Sequence, residues 1–153
     1  KEGFAPIYSS KFKRVLTNSG YPAIKPPWGT LTALNLNNGK IIWQSPFGEY
    51  KELTEKGIPL TGTENFGGAT ATSGDIVIAT GTLDKKIYIF NAINGEIIYD
   101  LELPYIGSAP PTTYMSNGEQ YILVHATGGF SLSEGYPNLV EEGNALIALK
   151  LKK

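Results

Sequence analysis

The stretch Leu31 to Trp43, LTALNLNNGKIIW, returns 56 residues later as Ile87 to Tyr99, IYIFNAINGEIIY, and a third, partial copy, LIALKL, stands at Leu146 to Leu151. Each full copy reads as a strand of alternating side chains, an Asn-Gly turn at Asn38-Gly39 or Asn94-Gly95, and a second strand ending in an aromatic residue. Asn tolerates positive φ and Gly adopts it freely, so the pair predicts a two-residue type I′ turn whose twist matches that of its strands. A hairpin repeated at this spacing constrains the chain to a repeat architecture. For strands, the candidates are propeller blades.

Around the repeat the rest of the chain falls into place. Residues 1–28 are apolar and aromatic without a sustained period, and Pro22, Pro26 and Pro27 bar a ladder strand, which leaves a loop-rich start with one short strand around Arg14 to Thr17. The hairpin from Thr30 to Gln44 follows, and then a long connecting loop over Ser45 to Asn65, of a length often functional in compact repeats. Residues 66–103 carry four β-rich runs, Gly68 to Thr72, Asp75 to Thr80, Lys86 to Ala92 and Glu96 to Leu101, divided by turn chemistry. This predicts one four-stranded meander whose first, small-residue run is the innermost strand of a blade and whose last, bulkier run is the outermost.

After Pro104 the pattern restarts with SAPPTTYMSNG, EQYILVHATGG and GNALIALKL, three strands of a last blade with no fourth. The organisation expected is therefore all-β: residues 1–44 end one blade, 45–65 are a loop, 66–103 form a full blade, and 104–153 form a blade lacking its closing strand. Too few blades are present to close a ring. Exposed strand edges are expected unless other blades, in the same chain or a partner chain, pair with them.

Charge and composition exclude several classes. Thirteen basic and 14 acidic residues are scattered along the chain with a net charge of −1, which leaves no stripe for nucleic acid. No apolar run approaches the roughly 20 residues needed to cross a bilayer, and the N-terminus has no signal-peptide core, so any export signal or membrane anchor is expected outside these residues. With no cysteine there are no disulfides or thiolate metal sites. No Ser-His-Asp order, phosphate-cradling loop or zinc spacing occurs.

These residues resemble the quinoprotein dehydrogenases that use pyrroloquinoline quinone (PQQ), above all the membrane-bound glucose dehydrogenase type and its quinate relatives. The resemblance rests on PPWG at Pro26 to Gly29, the docking hairpin ALNLNNGKIIW and its copy FNAINGEIIYD. It continues through GG with ATSGDIVIATGTLD at Gly67 to Asp84, SAPPTTYMSNGEQYILVHATGG, and NALIALKL, and it runs from residue 20 to 151 in the right order. It implies the last two-and-a-half blades of an eight-bladed propeller that oxidises a sugar, polyol or other alcohol, with calcium beside the quinone and electrons passed to a respiratory quinone. It also implies a periplasmic or periplasm-facing location. Departures from the family pattern are Asn35 and Asn91 where Asp is usual, Tyr99 where a second tryptophan is usual, and Phe130 in place of a histidine in the glycine-rich loop.

In that family the base, the calcium ligands and the aromatic floor under the quinone belong mostly to earlier blades, so no catalytic or metal residue is expected here. What remains for this segment is part of the cofactor rim: Asn65, Phe66, Gly67 and Gly68 at the start of an innermost strand, with Trp28 as second candidate. Gly67 and Gly68 read equally as close packing of crowded inner strands, and Trp28 as a residue pinning loops. Trp43 is expected to stack blade against blade, with Tyr99 a weaker substitute. His125 is expected buried or half-buried, Asp84 as a turn-capping acid, and Glu141-Glu142 in a solvated loop. A rival reading is a non-catalytic scaffold of the outer-membrane assembly type, because such propellers carry the same hairpins.

Overall fold

A computed structural model describes residues 14–129 and 141–151. They form three antiparallel sheets in chain order and one short helix. The first sheet is the hairpin β1 (Thr30–Asn35) and β2 (Lys40–Pro46). After the helical turn α1 (Lys51–Thr54), the second sheet runs in sequence order through β3 (Ala69–Ala71), β4 (Ile76–Ala79), β5 (Lys86–Asn91) and β6 (Ile97–Glu102). The third holds β7 (Thr112–Ser116), β8 (Glu119–Ala126) and β9 (Ala145–Lys150). All nine strands lie where the sequence predicts strands. The expected strand near Arg14 does not form; Leu16 makes a single bridge to Pro22, flanked by hydrogen bonds from Thr17 N to Tyr21 O and Ala23 N to Val15 O. A proline can share that bridge because the flanking residues supply the donors.

The repeated turn corrects the type I′ expectation. Only the glycines have positive φ, +70° at Gly39 and +74° at Gly95. The loop spans four residues: Asn38 and Gly39 N–H both donate to the Asn35 carbonyl, and Gly95 N–H donates to Asn91 O at 2.9 Å. The physical cause is the asparagine that opens each loop. Asn35 Oδ1 accepts from Asn37 N–H at 2.9 Å and Asn91 Oδ1 from Ile93 N–H at 2.8 Å, an Asx turn that winds the chain one residue earlier than a two-residue turn would. A register shift between Ala33 and Leu34, matched between Ile89 and Phe90, accommodates the longer loop.

Packing between sheets is apolar and specific. Phe47, just past β2, lies against Tyr88 and Phe90 of β5, with ring centroids 5.5 and 5.8 Å apart at steep angles. Phe47 and Phe90 are 1% and 0% exposed. Each such burial contributes about 1.5–3 kcal/mol. Trp43 stacks on Phe90 at 6.4 Å and its Nε1 donates to Ala92 O at 2.9 Å, while Ser45 Oγ donates to Gly95 O at 2.5 Å. A Cβ on Gly95 would collide with this indole, 2.6 Å from its Cδ2, so glycine is needed there twice over.

The second and third sheets join differently. Ile78, Ile87 and Leu103 pack on Val124 and Ala126, and Thr70 Oγ1 donates to Pro111 O. Tyr99, the counterpart of Trp43, is 55% exposed. His125 points outward on β8, between the buried Val124 and Ala126, contrary to the burial expected for it. Alternation along the strand decides this: a chain that buries 124 and 126 must expose 125.

Candidate functional site

Because neighbouring strands are antiparallel, every second connection lies at the same end of the sheets. One end gathers the hairpin turns. The other gathers Trp28-Gly29 before β1, residues 47–68 between β2 and β3, 80–85 between β4 and β5, and 103–111 between β6 and β7, together with the chain just after β8. These segments are tied to one another. Trp28 N–H donates to Thr61 O, Phe47 N–H to Gly29 O, Thr63 N–H to Phe47 O, and Gly128 N–H to Ile106 O. Bridges pair Asn65 with Thr82 and Gly107 with Ala126. Thr63 Oγ1, fully buried, accepts Leu83 N–H at 3.1 Å.

Asn65 and Phe66 sit at the edge of this end, both exposed, Phe66 by 53%. Among the described residues the Asn65 amide makes no hydrogen bond, so its donor and acceptor face outward. Gly67 and Gly68 lie just behind, and both are required by packing. A Cβ on Gly67 would fall 2.6 Å from the Thr80 carbonyl carbon and 2.8 Å from Gly107 O, and one on Gly68 2.5 Å from Pro110 Cγ. Their spare volume is filled by protein. Trp28 packs in a separate cluster, stacked on Tyr21 at 5.8 Å and edge-on to Tyr50 at 5.4 Å, its Nε1 donating to Ile24 O. It lines an apolar trough of about 570 Å3 with Tyr21, Ile24, Pro26, Leu53 and Ile58, and none of residues 65–68 borders that trough. Trp28 and Asn65 thus share an end of the sheets without sharing a cavity. Phe130 of the glycine-rich loop lies outside the described residues.

Sequence reasoning missed a polar cluster beside this rim. Lys86 Nζ lies 2.6 Å from Glu49 Oε1 and 2.7 Å from Asp100 Oδ2. Asp84 accepts from Thr82 Oγ1 at 2.5 Å, from the Tyr88 hydroxyl, and from the backbone N–H of Glu49 at 2.9 Å and Lys86 at 3.3 Å. Burial pushes the Asp84 carboxyl up despite these donors, and burial with the Asp84 charge pushes the Tyr88 phenol up. Burial also opposes the charge on Glu49, but the hydrogen bonds from Lys86 and Thr54 outweigh it and hold that carboxyl below its ordinary range. Lys86 is raised for the converse reason: its bonds to Asp100 and Glu49 overcome desolvation. Period 2 places Lys86 and Tyr88 on one face of β5, but Glu49 arrives from 37 residues upstream, which no local pattern announces. Of these groups Glu49, Asp84 and Lys86 border a cavity of about 320 Å3 with Tyr50, Leu83 and Glu102. Among the described residues no group of three His, Cys, Asp or Glu could hold a metal ion.

A four-stranded antiparallel sheet flanked in the chain by a two-stranded and a three-stranded one, with a repeated docking hairpin and the long connections at one end, defines a β-propeller section. The chain belongs to the PQQ-dependent dehydrogenase family: residues 1–122 match the glucose/ethanol/alcohol dehydrogenase β-propeller domain. Over 99% of its length it is 32% identical to the quinate/shikimate dehydrogenase (quinone) of Acinetobacter baylyi, of which it spans 19%. It is 33% identical, over 72% of its length, to the glycerol dehydrogenase large subunit of Gluconobacter oxydans, of which it spans 16%. The quinohemoprotein alcohol dehydrogenase of Comamonas testosteroni superposes on 70% of the chain with a TM-score of 0.51 at 27% identity, matching 14% of that protein. A second such enzyme, from Pseudomonas putida HK5, covers 80% of the chain and 16% of its own, with a TM-score of 0.62 at 22% identity, a likeness of fold. The chain therefore spans less than a fifth of the length of the curated relatives named here.

Proposed function

We propose that this chain is a section of a PQQ-dependent dehydrogenase that oxidises a sugar, polyol or other alcohol and passes the electrons to a respiratory quinone. The match of residues 1–122 to the dehydrogenase propeller family carries the reading. PQQ, when bound, supplies the electron sink for an alcohol carbon. The residues here fit a rim better than a reaction centre. Asn65 offers an outward amide for a carboxylate or carbonyl, Phe66 an exposed ring edge, and Gly67 and Gly68 hold both in place by their close packing on Thr80, Gly107 and Pro110. Trp28, stacked on Tyr21 at the same end of the sheets, is the second candidate for that rim. Calcium ligands and the base would come from outside this segment, as would the blades that cover its open edges. A periplasm-facing location and any membrane anchor belong to that longer protein; among the described residues no helix is long and apolar enough to cross a membrane.

The test is thermal unfolding of the protein as its source cells make it, with and without PQQ and calcium, beside PQQ-dependent dye reduction with alcohols and sugars. A ligand at 100 times its Kd stabilises by about 2.7 kcal/mol, several degrees in Tm. No shift and no dye reduction would refute the redox reading and leave a propeller scaffold.

A further inference from the structure

Asn-Gly occurs three times in the chain, at 38–39, 94–95 and 117–118, and all three asparagines are exposed. A glycine nitrogen has no neighbouring side chain to hinder its attack on the asparagine amide carbon, which makes such pairs the most labile form of a thermolabile residue. Two of the pairs close the four-residue loops of the repeated hairpins, and there both reacting groups are held. Gly39 N–H donates to Asn35 O at 2.7 Å and Gly95 N–H to Asn91 O at 2.9 Å. Asn38 Oδ1 accepts from Lys40 N–H and Asn94 Oδ1 from Glu96 N–H, each at 3.0 Å, so each side chain is turned to the nitrogen two residues on and away from the adjacent glycine. The third pair is built differently. Asn117 and Gly118, both exposed, are the two residues of the β7–β8 turn, with φ of +51° and +76°, as a type I′ turn requires. Its closing bonds run between Ser116 and Glu119, which pair in register, and Gly118 N–H has no part in them. Among the described residues neither that N–H nor the Asn117 side chain makes a hydrogen bond, and nothing lies within 4 Å of where a Gly118 Cβ would stand.

We propose that Asn117-Gly118 is a site of spontaneous covalent modification in the folded protein, at which the asparagine loses ammonia and takes up water, while the turns at Asn38-Gly39 and Asn94-Gly95 protect theirs. The Gly118 nitrogen gives its proton to hydroxide and bonds to Asn117 Cγ. The Cγ–Nδ2 bond breaks, and Nδ2 leaves as ammonia with a proton from water, which leaves a cyclic imide. Water then adds to one of the two imide carbonyls and opens the ring. Attack at Cγ gives aspartate, and attack at the main-chain carbonyl gives isoaspartate, linked through its side chain. No electron donor or acceptor is consumed. An imide nitrogen carries no hydrogen, and the protection lies there: ring closure at Gly39 or Gly95 forfeits the bond that closes the loop, and at Gly118 it forfeits none. Isoaspartate also adds a backbone atom to a turn of only two residues and a carboxylate two positions from Glu119, so the hairpin end at Ser116 and Glu119 loosens.

The inference concerns turn geometry alone and is independent of the redox reading. The protein as its source cells make it is aged in mildly alkaline buffer made with heavy-oxygen water, once folded and once in urea. Cleavage after glutamate then puts the three pairs on separate peptides, since Glu49 divides Asn38 from the others and Glu96 and Glu102 divide Asn94 from Asn117. Mass spectrometry follows the loss of each amide and the heavy oxygen that replaces it. Opening two hydrogen bonds before attack slows Asn38 and Asn94 by roughly tenfold or more. Asn117 should therefore lead both by that factor in the folded protein, and the three rates should converge in urea, where every turn is lost. A smaller lead, or one that survives in urea, overturns the proposal.

Discussion

Replacing Lys86 with methionine should cost stability in a pH-dependent way whose sign can be worked out from the cluster around it. The ammonium lies between Glu49 and Asp100 at 2.6 and 2.7 Å, and the side-chain exposures are 25% for Lys86, 14% for Glu49 and 41% for Asp100. An exposed pair contributes about 0–1 kcal/mol, and stripping the partner from a fully buried charge costs about 3–5 kcal/mol. Asp100 belongs near the first figure; Glu49, more enclosed but reached by water, lies between them. Together they put Lys86→Met at about 2 kcal/mol near pH 7.

Glu49 is held below its ordinary value of 4.5 in the folded protein, so its contribution is present above that value and fades as pH falls through the folded pKa. In the variant the desolvation of Glu49 remains and its counter-charge is gone, so the folded pKa moves above the unfolded one. Its contribution then changes sign, and stability is recovered as the carboxyl takes up its proton. The gap between the two proteins should shrink from about 2 kcal/mol near pH 7 toward zero near pH 3. Urea unfolding followed by tryptophan fluorescence at both pH values measures it. A gap that stays constant or widens in acid would refute the assignment of the cost to the Glu49 charge.

Trp43→Phe keeps the stack on Phe90 but loses the Nε1 bond to Ala92 O and part of the ring area, and should cost about 1–2 kcal/mol in the same assay. Gly95→Ala and Gly39→Ala impose the same left-handed strain of about 1–2 kcal/mol, but only Gly95 has an indole against it, so its variant should be worse by about a further 1–3 kcal/mol. Equal costs would show that the indole yields without penalty. Phe66→Ala, at an exposed ring, should leave the baseline Tm within about a degree and reduce the shift that PQQ produces, read by thermal unfolding; an undiminished shift would remove Phe66 from the rim.

The fold was legible because hydrophobic alternation and Asn-Gly punctuation are local signals, and all nine strands depend on them. The turn type was not, since Asn-Gly fits both a two-residue and a four-residue loop. Asn35 and Asn91 decide between them by capping Asn37 and Ile93, a contact visible only once the loop length is known. Gly67 and Gly68 were legible as close-approach positions, yet what approaches them, Thr80, Gly107 and Pro110, lies 13 to 42 residues away. Trp28 was legible as a tryptophan beside prolines, but its partners Tyr21 and Tyr50 come from two loops that carry no periodicity. His125 was misjudged because apolar neighbours on both sides suggest burial, whereas in a strand they dictate the opposite face.

Where Gly67, Gly81 and Gly107 meet, backbone lies against backbone, with the Thr80 side chain filling the space beside Gly107. A Cβ on Gly81 would stand 2.5 Å from Gly67 Cα, one on Gly67 2.8 Å from Gly107 O, and one on Gly107 2.7 Å from Thr80 Cβ. For an evolving lineage this is a three-way lock. No single substitution at any of the three can be absorbed by its neighbours, because each neighbour is main chain or is itself hemmed in by main chain. Change in what this end of the sheets accommodates must therefore arrive through the outward Asn65 and Phe66 side chains and the loops beyond them, with the glycine junction inherited intact.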